Sequence, residues 1–296
     1  MSRVLVTGAS GLIGPHAVAA LQARGFHVVV LGRRAMAGVE SIAADLLDPE
    51  ARTAAVRKAR ASHLLHLAWH DAPQRRWTAA DNLDWAAATL GLMREFGLAG
   101  GKRAVGVGSC AEYEWSGARY GEDMVLKPSS LYGQAKAASG SLLMAGAEAC
   151  GLSLAWARVF FCYGPNEPQG RLLGDLIQGL RAGQPVECTD GLQARDFLYA
   201  ADLGMALATI LASNLAGAVN VGSGHATPVR DLILTTARLM GRPDLIRLGA
   251  RARPAGDPAV IEADVSRLSQ TGFAPHYDLE AGLRDCLRRS GVAVVG

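Results

Sequence analysis

The sequence predicts an α/β fold: a doubly wound parallel sheet with a smaller C-terminal α/β lobe. Two observations carry this prediction. The apolar segment Val4–Thr7 is followed by three evenly spaced glycines and then by the helix-forming run Ala17–Leu21, as in a strand–turn–helix unit. Strand-like and helix-like segments then alternate through the first half of the chain. Repeated units of this kind with right-handed crossovers build a parallel sheet.

The first half of the chain is expected to supply this sheet. Apolar runs predict strands at Val4–Thr7, His27–Leu31, a short one ending at Ala43-Ala44, His63–Leu67, Arg103–Val107 and Leu152–Val159. Helices are expected between them, the first of about four turns, then Asp48–Arg60, about Gln74–Phe96, and Ser130–Cys150. Asp48 followed by Pro49 is typical of a capped helix start. Together these elements indicate a Rossmann-type sheet.

The regular alternation of predicted strands and helices ends after Gly164-Pro165-Asn166. The remaining segments are predicted as the helices Arg171–Arg181, Leu203–Leu211, Val229–Met240 and Leu279–Arg289, with extended pieces in Gln184–Phe197, Ala218–Val221 and near Val260–Glu262. We therefore expect residues 1–165 to form the sheet domain, completed by about 198–225. Residues 166–197 and 226–296 are expected to form a lobe that closes over the carboxyl ends of the strands.

Composition argues against several functional classes. The chain has 296 residues, half of them hydrophobic, and a formal net charge of +3, which does not favour nucleic-acid binding. No apolar run reaches the ~18 residues of a membrane helix, and the N-terminus shows no signal-peptide pattern. The cysteines are widely spaced, which favours reduced thiols: Cys110, Cys150, Cys162, Cys188 and Cys286. We expect a cytoplasmic protein without a membrane or nucleic-acid partner.

The glycines after the first strand predict a dinucleotide site. Gly8, Gly11 and Gly14 follow the spacing G-x-x-G-x-x-G, one residue wider than the usual fingerprint. They would allow a tight turn, a close approach of pyrophosphate and close helix packing, while the helix amides face the anion. An ordinary turn is the alternative interpretation. The strand before the glycines and the helix after them favour cofactor binding by this turn, including Ser10, Leu12 and Ile13.

Three side chains predict proton-transfer chemistry. Tyr132 and Lys136 are four residues apart, so they share one face of the predicted helix. A nearby ammonium lowers the pKa of a phenol, which would make Tyr132 a usable acid or base beside a carbon that undergoes hydride transfer. Ser109 follows the strand Arg103–Val107, at the edge of the sheet where ligands bind. The alternative interpretation of the Tyr132/Lys136 pair is an ordinary surface pair.

These motifs resemble the extended short-chain dehydrogenase/reductase family, in its nucleotide-sugar epimerase/dehydratase group. The resemblance covers essentially the whole chain. Beyond the glycines and Tyr132/Lys136, the matches in shared order are Asp45-Leu46, His66-Leu67-Ala68, Asn82, Arg158–Pro165 (RVFFCYGP), Arg195–Tyr199 before Asp202, Asn220–Gly224, and Arg253-Pro254 with Asp257.

The resemblance implies a role for each matching position. Tyr132 is expected to be the acid/base and Ser109 to polarise the sugar oxygen, while Lys136 also holds the nicotinamide ribose. The remaining cofactor positions are Asp45 and Leu46 at the adenine, Leu67 and Ala68 at the ribose and phosphates, Asn82, and Val159 and Phe160 at the nicotinamide end. Phe161 lines the same end on the substrate side. Arg195 and Arg253 resemble a pair that grips a nucleotide diphosphate, each able to bond bidentately; the alternative for Arg195 is an ion pair with Asp196.

The second strand favours NADP(H) as the cofactor. An NAD-selective site usually has a carboxylate at the end of this strand for the ribose 2′-hydroxyl. Here the strand ends at Gly32 and continues into Arg33 and Arg34, which can pair with a 2′-phosphate. NAD(H) remains possible if both arginines only project into solvent.

The expected reaction is reduction of a 4-keto nucleotide-diphosphate sugar. Dehydratases of the group carry an Asp-Glu pair after the active-site hydroxyl, and this chain has Cys110 and Ala111 there. A C4 epimerase is the first alternative, since it needs the same three catalytic residues. A C3 or C5 epimerase would use Cys110 as acid/base, although a small apolar filler is the commoner role of a lone cysteine. A non-catalytic NADP-binding sensor is the second alternative.

Several neighbouring positions carry secondary expectations. Glu112 is expected either to bond a sugar hydroxyl or to lie in water as a loop carboxylate, and Trp115 either stacks on a sugar or caps the core. His66 and His70 lack further clustered ligands, so no metal site is expected. The helices 74–96 and 130–150 resemble those that pair across dimers of the family, which predicts a homodimer.

Overall fold

A computed structural model describes residues 2–69, 75–116 and 119–295 of the chain. The strands are β1 Arg3–Thr7, β2 His27–Gly32, β3 Glu40–Ala43, β4 His63–His66, β5 Arg103–Ser109, β6 Arg119–Tyr120, β7 Ser153–Val159, β8 Phe161–Tyr163, β9 Val186–Glu187, β10 Ala194–Tyr199, β11 Gly217–Val221, β12 Ala226–Pro228, β13 Ile246–Arg247 and β14 Val260–Ala263. The helices are α1 Gly14–Ala23, α2 Pro49–Ala59, α3 Asp81–Leu98, α4 Leu131–Gly146, α5 Leu172–Arg181, α6 Ala200–Ala212, α7 Val229–Leu239, α8 Ser266–Ser269 and α9 Leu279–Arg289.

The central sheet is parallel, which confirms the predicted fold class. Its strand order is β11-β7-β5-β4-β1-β2-β3. From β1, the chain first adds strands on one side and then returns to β4 to build the other side. Ligands of open α/β sheets bind where the strand order reverses, and the glycine turn after β1 lies at this point.

Alternation along the strands divides the core into two layers. Val4 and Val6 of β1 pack with α1 and α6 on one face of the sheet. Leu5 points to the opposite face and packs with residues of α2, α3 and α4. Side chains of a strand alternate between faces, and a parallel sheet buried on both faces needs apolar residues at every position. This requirement explains the continuous apolar runs in the sequence.

A second, smaller sheet supports the far side of the cavity. Its strand order is β12-β10-β14-β6, with β8 paired to β10. Two of these strands, β6 and β8, come from within the predicted range 1–165, while Leu268 of the predicted lobe is buried in the core beneath α1 and α6. The two units therefore exchange segments across the predicted boundary.

Three helix predictions need correction. The first helix, expected to have about four turns, spans only the 10 residues Gly14–Ala23, which is just under three turns. The helix expected from about Gln74 begins at Asp81; Gln74 lies outside the described residues, and residues 75–80 form turns. The helix expected over Ser130–Cys150 ends at Gly146, and a short 3₁₀ turn follows. The predicted cap of α2 is confirmed, because the Asp48 side chain accepts hydrogen bonds from the amides of Glu50 and Ala51. None of the helices in the described part of the chain is long and apolar enough to cross a bilayer.

Candidate active site

The glycine turn joins β1 to α1 under tight steric constraint. Gly8 has a φ of +72°, a backbone conformation that L side chains rarely adopt. A Cβ at Gly14 would lie 2.2 Å from the carbonyl oxygen of Ala9, so only glycine lets α1 begin this close to the turn. At Gly11 a Cβ would meet only the Gly8 carbonyl oxygen, at 3.4 Å. The turn therefore leaves open space above Gly11.

A cavity of about 1960 Å³ extends from this turn to the smaller sheet. Most residues predicted to bind the cofactor line it: Gly8, Ser10, Gly11, Leu12, Ile13, Arg33, Arg34, Asp45, Leu46, Leu67, Ala68, Tyr132, Lys136, Val159 and Phe160. The same cavity is also lined by Ser109, Cys110, Phe161 and Arg195. Residues far apart in sequence thus meet at one carboxyl edge of the sheet.

Asn82 does not reach the cavity wall. Its side chain is fully buried at the start of α3. The Asn82 amide donates to the carbonyl oxygens of Arg76 and Ala79, both at 2.8 Å, and its oxygen accepts from the indole of Trp69 at 2.9 Å. The structure corrects the prediction of a cofactor ligand, because every polar atom of this side chain already fixes the turn before α3.

Ser109 and Tyr132 both line the cavity. Ser109 is the last residue of β5, and Tyr132 lies in the first turn of α4, which the Ser130 side chain caps through the amide of Gly133. The Ser109 hydroxyl is close enough to the Tyr132 phenol to oppose the rise in the pKa of that phenol. The α4 helix lies close to the sheet, since a Cβ at Gly140 would stand 2.5 Å from the indole nitrogen of Trp156. The two hydroxyls are therefore neighbours in the wall of the cavity.

Lys136 is turned toward the sheet rather than toward the phenol. Its Nζ donates to the Val107 carbonyl oxygen at 2.7 Å and lies 3.7 Å from the centre of the Trp69 ring. Burial lowers the pKa of Lys136 to about 7. Burial also raises the pKa of Tyr132, and the guanidinium that opposes this rise belongs to Arg76. The predicted lowering of the Tyr132 pKa by Lys136 is therefore not what the structure shows.

Glu112 is a structural carboxylate, and its predicted contact with substrate is corrected. Its side chain is 0% exposed, and Arg158 donates from Nε to it at 3.0 Å. The backbone amide of Ser109 and the indole of Trp156 donate to the same carboxylate, at 2.8 Å and 3.0 Å. Burial raises the pKa of Glu112, and the Arg158 charge opposes that rise. The pair holds Ser109 from behind the cavity wall.

The Cys110 thiol lines the cavity in an apolar setting. It packs with Tyr113, Tyr120 and Phe160 in a small buried cluster. Burial raises the pKa of the Cys110 thiol to about 12. A thiol that stays protonated at neutral pH is poorly suited to remove a proton from carbon. The raised pKa and the apolar surroundings therefore favour the interpretation of Cys110 as a small apolar filler.

The two arginines predicted to grip a diphosphate are held differently. Arg195 lines the cavity and forms an ion pair with Asp257, not with Asp196. Asp196 instead accepts from the backbone amides of Ser223 and Gly224. Arg253 lies off the cavity wall and donates to the Gln193 side chain at 3.3 Å. The structure thus brings Arg195 to the cavity and does not bring Arg253 there.

Sequence reasoning missed Arg76 and Trp77 in the aromatic and cationic wall around Tyr132. Trp77 lies 5.6 Å from Tyr132 and 6.1 Å from Trp115, measured between ring centres. Trp115 in turn lies 6.2 Å from Phe161, and its indole donates to the Cys110 carbonyl oxygen. Arg76 completes this wall. The sequence Arg75-Arg76-Trp77 after the fourth strand was the available signal, hidden by the prediction of a helix through these residues.

His66 is held by two threonine side chains near the glycine turn. His66 is buried between the side chains of Thr7 and Thr89, at 2.7 Å and 2.9 Å, and burial lowers its pKa to about 3. His70 lies outside the described residues. Among the residues that the structure describes, no group of three or more His, Cys, Asp or Glu side chains could hold a metal ion.

The chain matches one family model and is similar in sequence to a reductase and an epimerase of nucleotide sugars. The model of a family described as the NAD dependent epimerase/dehydratase family matches residues 4–222. A dTDP-4-dehydro-6-deoxy-D-allose reductase from a Streptomyces species is 28% identical over 314 residues, covering 96% of this chain and 95% of the relative. The UDP-glucose 4-epimerase of Corynebacterium glutamicum is 27% identical over 316 residues, covering 96% and 94%.

A solved structure shows the same architecture over the full length. MoeE5 in complex with UDP-glucose and NAD superimposes with a TM-score of 0.84 at 31% identity, covering 98% of this chain and 99% of that one. The same protein has also been solved with UDP-glucuronic acid and NAD, with a TM-score of 0.83 at 32% identity, covering 98% and 100%.

Proposed function

The chain belongs to the NAD dependent epimerase/dehydratase family, and on that premise we propose that it is an NADP(H)-dependent reductase of 4-keto nucleotide-diphosphate sugars. The family and the similar proteins are enzymes that act on nucleotide sugars with nicotinamide cofactors. The finer assignment rests on the residues of this chain. The observation that carries it is that the Ser109 and Tyr132 hydroxyls are close enough to interact in the wall of one cavity, which the glycine turn also lines.

The residues of the cavity fit a dinucleotide. We propose that the glycine turn at Gly11, which precedes α1, receives the phosphates, and that Asp45 and Leu46, which line the same cavity, flank the adenine. When bound, the cofactor supplies hydride transfer to or from the carbon that bears the reacting oxygen. We propose that Val159 and Phe160 line the nicotinamide end and that Lys136 holds the nicotinamide ribose.

The chain's own residues supply the proton and the orientation. In reduction, the Tyr132 phenol would give its proton to the oxygen of the ketone as that oxygen gains negative charge. The Ser109 hydroxyl would donate a hydrogen bond to the same oxygen and hold it against the phenol. The elevated pKa of Tyr132 keeps the phenol protonated at neutral pH, which suits the acid role that reduction requires.

The reaction is tested by following cofactor and sugar together. We expect a freshly generated dTDP-4-keto-6-deoxyhexose to oxidise NADPH stoichiometrically. A C4 epimerase would instead interconvert UDP-glucose and UDP-galactose with no net cofactor consumption, and that result would replace the reductase assignment. The buried Cys110 thiol disfavours epimerisation at C3 or C5. The sensor alternative is set aside, because the family and relatives are enzymes.

Arg33 and Arg34 carry the preference for NADP(H). Both side chains are exposed and line the cavity just after β2, and no carboxylate ends that strand. MoeE5 was solved with NAD, so these two arginines are the support for a 2′-phosphate in this chain.

Replacing both arginines with alanine is expected to weaken NADPH binding by about 10- to 100-fold, since charge-assisted hydrogen bonds to the 2′-phosphate are lost. NADH binding should change little. Fluorescence titration of the two cofactors measures this. Arg57→Ala, an exposed change on α2, is the matched control, and an equal loss for NADPH and NADH would contradict the assignment.

We also propose a homodimer formed through α3 and α4. The two helices pack against each other and expose large apolar side chains, Leu83 and Leu142 both at 60%. A dimer interface on these helices would remove both leucine side chains from water. Light scattering that gave the mass of one chain would contradict this.

A further inference from the structure

Ser109 begins a short 3₁₀ turn that fixes both its backbone and its side chain. The turn spans Cys110–Glu112, and a reciprocal pair of hydrogen bonds closes it. The Glu112 carboxylate accepts from the Ser109 amide at 2.8 Å, and the Ala111 amide donates to the Ser109 Oγ at 3.2 Å. A capping box of this kind orients the residue at the start of a helical turn. The Ser109 side chain is thus constrained from within its own segment.

The hydrogen bond from Ala111 determines where the Ser109 hydroxyl can donate. A serine hydroxyl has one hydrogen to donate and two lone pairs that accept. Because the Ala111 amide uses a lone pair, the hydroxyl hydrogen points away from that amide. The hydroxyl opposes the rise in the pKa of both Tyr132 and Cys110, so both side chains lie close to it. The turn therefore leaves the Ser109 hydrogen for an acceptor on the cavity side.

The Glu112 carboxylate is in turn held by the neighbouring strand β7. Arg158 donates from Nε to one carboxylate oxygen at 3.0 Å, and the Trp156 indole donates to the other, also at 3.0 Å. Gly108 makes room for this approach, because a Cβ there would lie 2.3 Å from Glu112 Oε1. Charge-assisted hydrogen bonds are shorter and stronger than neutral ones. Strand β7 therefore fixes the acceptor to which the Ser109 amide donates.

The same 3₁₀ turn also sets the position of the helix that carries Tyr132. A Cβ at Gly133 would lie 2.2 Å from the Ala111 carbonyl oxygen, so the first turn of α4 rests directly on the 3₁₀ turn. A displaced turn would change the distance between Ser109 and Tyr132. A misplacement of about 1 Å in an active site costs about 100-fold in rate. Small movements of this turn are therefore expected to lower turnover.

We propose that Glu112 is a positioning residue of the reaction, which fixes Ser109 so that the Ser109 hydroxyl donates to the reacting oxygen of the substrate. This inference rests on the proposed function, because it takes Ser109 and Tyr132 as the groups that meet this oxygen. The Glu112 side chain is 0% exposed, so it acts through Ser109 and not on the substrate directly. Its carboxylate contributes to turnover as well as to stability.

The test compares two replacements of Glu112 in proteins that also carry Arg158→Met. Removing both charges avoids an isolated buried charge, which would by itself destabilise the fold. Glu112→Gln keeps an oxygen that can accept from the Ser109 amide, whereas Glu112→Leu has a side chain of similar size and no acceptor. In single-turnover oxidation of NADPH by the 4-keto sugar, the first double variant is expected to react about 10- to 100-fold faster than the second. Their Kd values for NADPH should agree.

Adding Ser109→Ala to both double variants separates positioning from a general effect on the fold. The two triple variants should react at the same rate, because effects that act through one group are not additive. A rate difference that persists without the Ser109 hydroxyl would overturn the inference, and so would equal rates for the two double variants. The matched control is Glu114→Leu, a change at a half-exposed position of the same segment, which should leave the rate at the wild-type value.

Thermal unfolding shows whether each variant folds. If a double variant does not fold, Glu112→Asp replaces it, since the shorter side chain keeps a charge for Arg158 and retreats from the Ser109 amide. Glu112→Asp should lower the rate of the wild type and leave that of Ser109→Ala unchanged; any other pattern would contradict the inference.

Crystal structures of the variants provide a measurement that does not depend on turnover. The Ser109 Oγ should keep its hydrogen bond from the Ala111 amide with Glu112→Gln and lose it with Glu112→Leu or Glu112→Asp. An unmoved Ser109 in all of them would overturn the inference. Failure of the wild type to reduce any 4-keto nucleotide sugar would contradict the proposed function instead, and these structures would still decide whether Glu112 holds Ser109.

Discussion

Tyr132→Phe is expected to lower turnover of the 4-keto sugar by about 10²- to 10⁴-fold, the usual contribution of a positioned general acid. The substitution removes the hydroxyl that meets Ser109 and leaves the ring to pack against Trp69 and Trp77. Cofactor affinity and the melting temperature should therefore stay near their wild-type values. Stopped-flow measurement of NADPH oxidation under single-turnover conditions gives the rate of the chemical step.

The matched control for this experiment is Tyr277→Phe. The Tyr277 ring packs against Tyr199, 4.9 Å away between ring centres, and it is not part of the cavity wall. Normal kinetics are expected for this variant. A Tyr132→Phe enzyme with wild-type turnover would refute the role assigned to the phenol.

Glu112→Ala is expected to destabilise the protein by about 3–5 kcal/mol, as when one partner of a buried ion pair is removed. The change leaves the Arg158 guanidinium without its carboxylate at a position where its side chain is 4% exposed. It also removes the acceptor of the Ser109 amide and the Trp156 indole. Urea unfolding followed by circular dichroism measures the free energy of unfolding.

A surface pair on the same segment provides the comparison. Glu114 accepts from Lys127 at 2.8 Å, and both side chains are more than half exposed. Such pairs contribute little to stability, so Glu114→Ala should leave the denaturant midpoint unchanged. If Glu112→Ala shifted the midpoint no more than Glu114→Ala does, the structural role of Glu112 would be wrong.

Local signals made the sheet and the phosphate turn predictable. The glycine spacing, the continuous apolar strands and the Asp48-Pro49 cap each depend on residues within a few positions of one another. Backbone sterics and capping fix such features. Tyr132 and Ser109 also follow from local placement, since each stands at an element end that faces the carboxyl edge of the sheet.

Contacts between buried polar side chains that lie far apart in the chain could not be predicted from the sequence. The residues near Glu112 do not indicate that it pairs inside the core with Arg158, which lies on a strand 46 residues later. Lys136 illustrates the same problem, because a spacing of four residues says that two side chains share a helix face but not what each one contacts. Val107 and Trp69 hold its ammonium instead. Which buried polar groups pair is decided by tertiary packing, and no local pattern encodes it.

The close contact between Gly140 of α4 and Trp156 limits which positions can change as this enzyme evolves toward new substrates. A Cβ there would lie 2.5 Å from the Trp156 indole nitrogen, so either Trp156 or α4 would have to shift, and a shift of α4 would move the proton donor on its first turn. Laboratory selection for altered substrate range should therefore recover few changes along that helix. Adaptive changes should accumulate instead at Trp115, whose ring contacts are with Trp77 and Phe161 rather than with Tyr132.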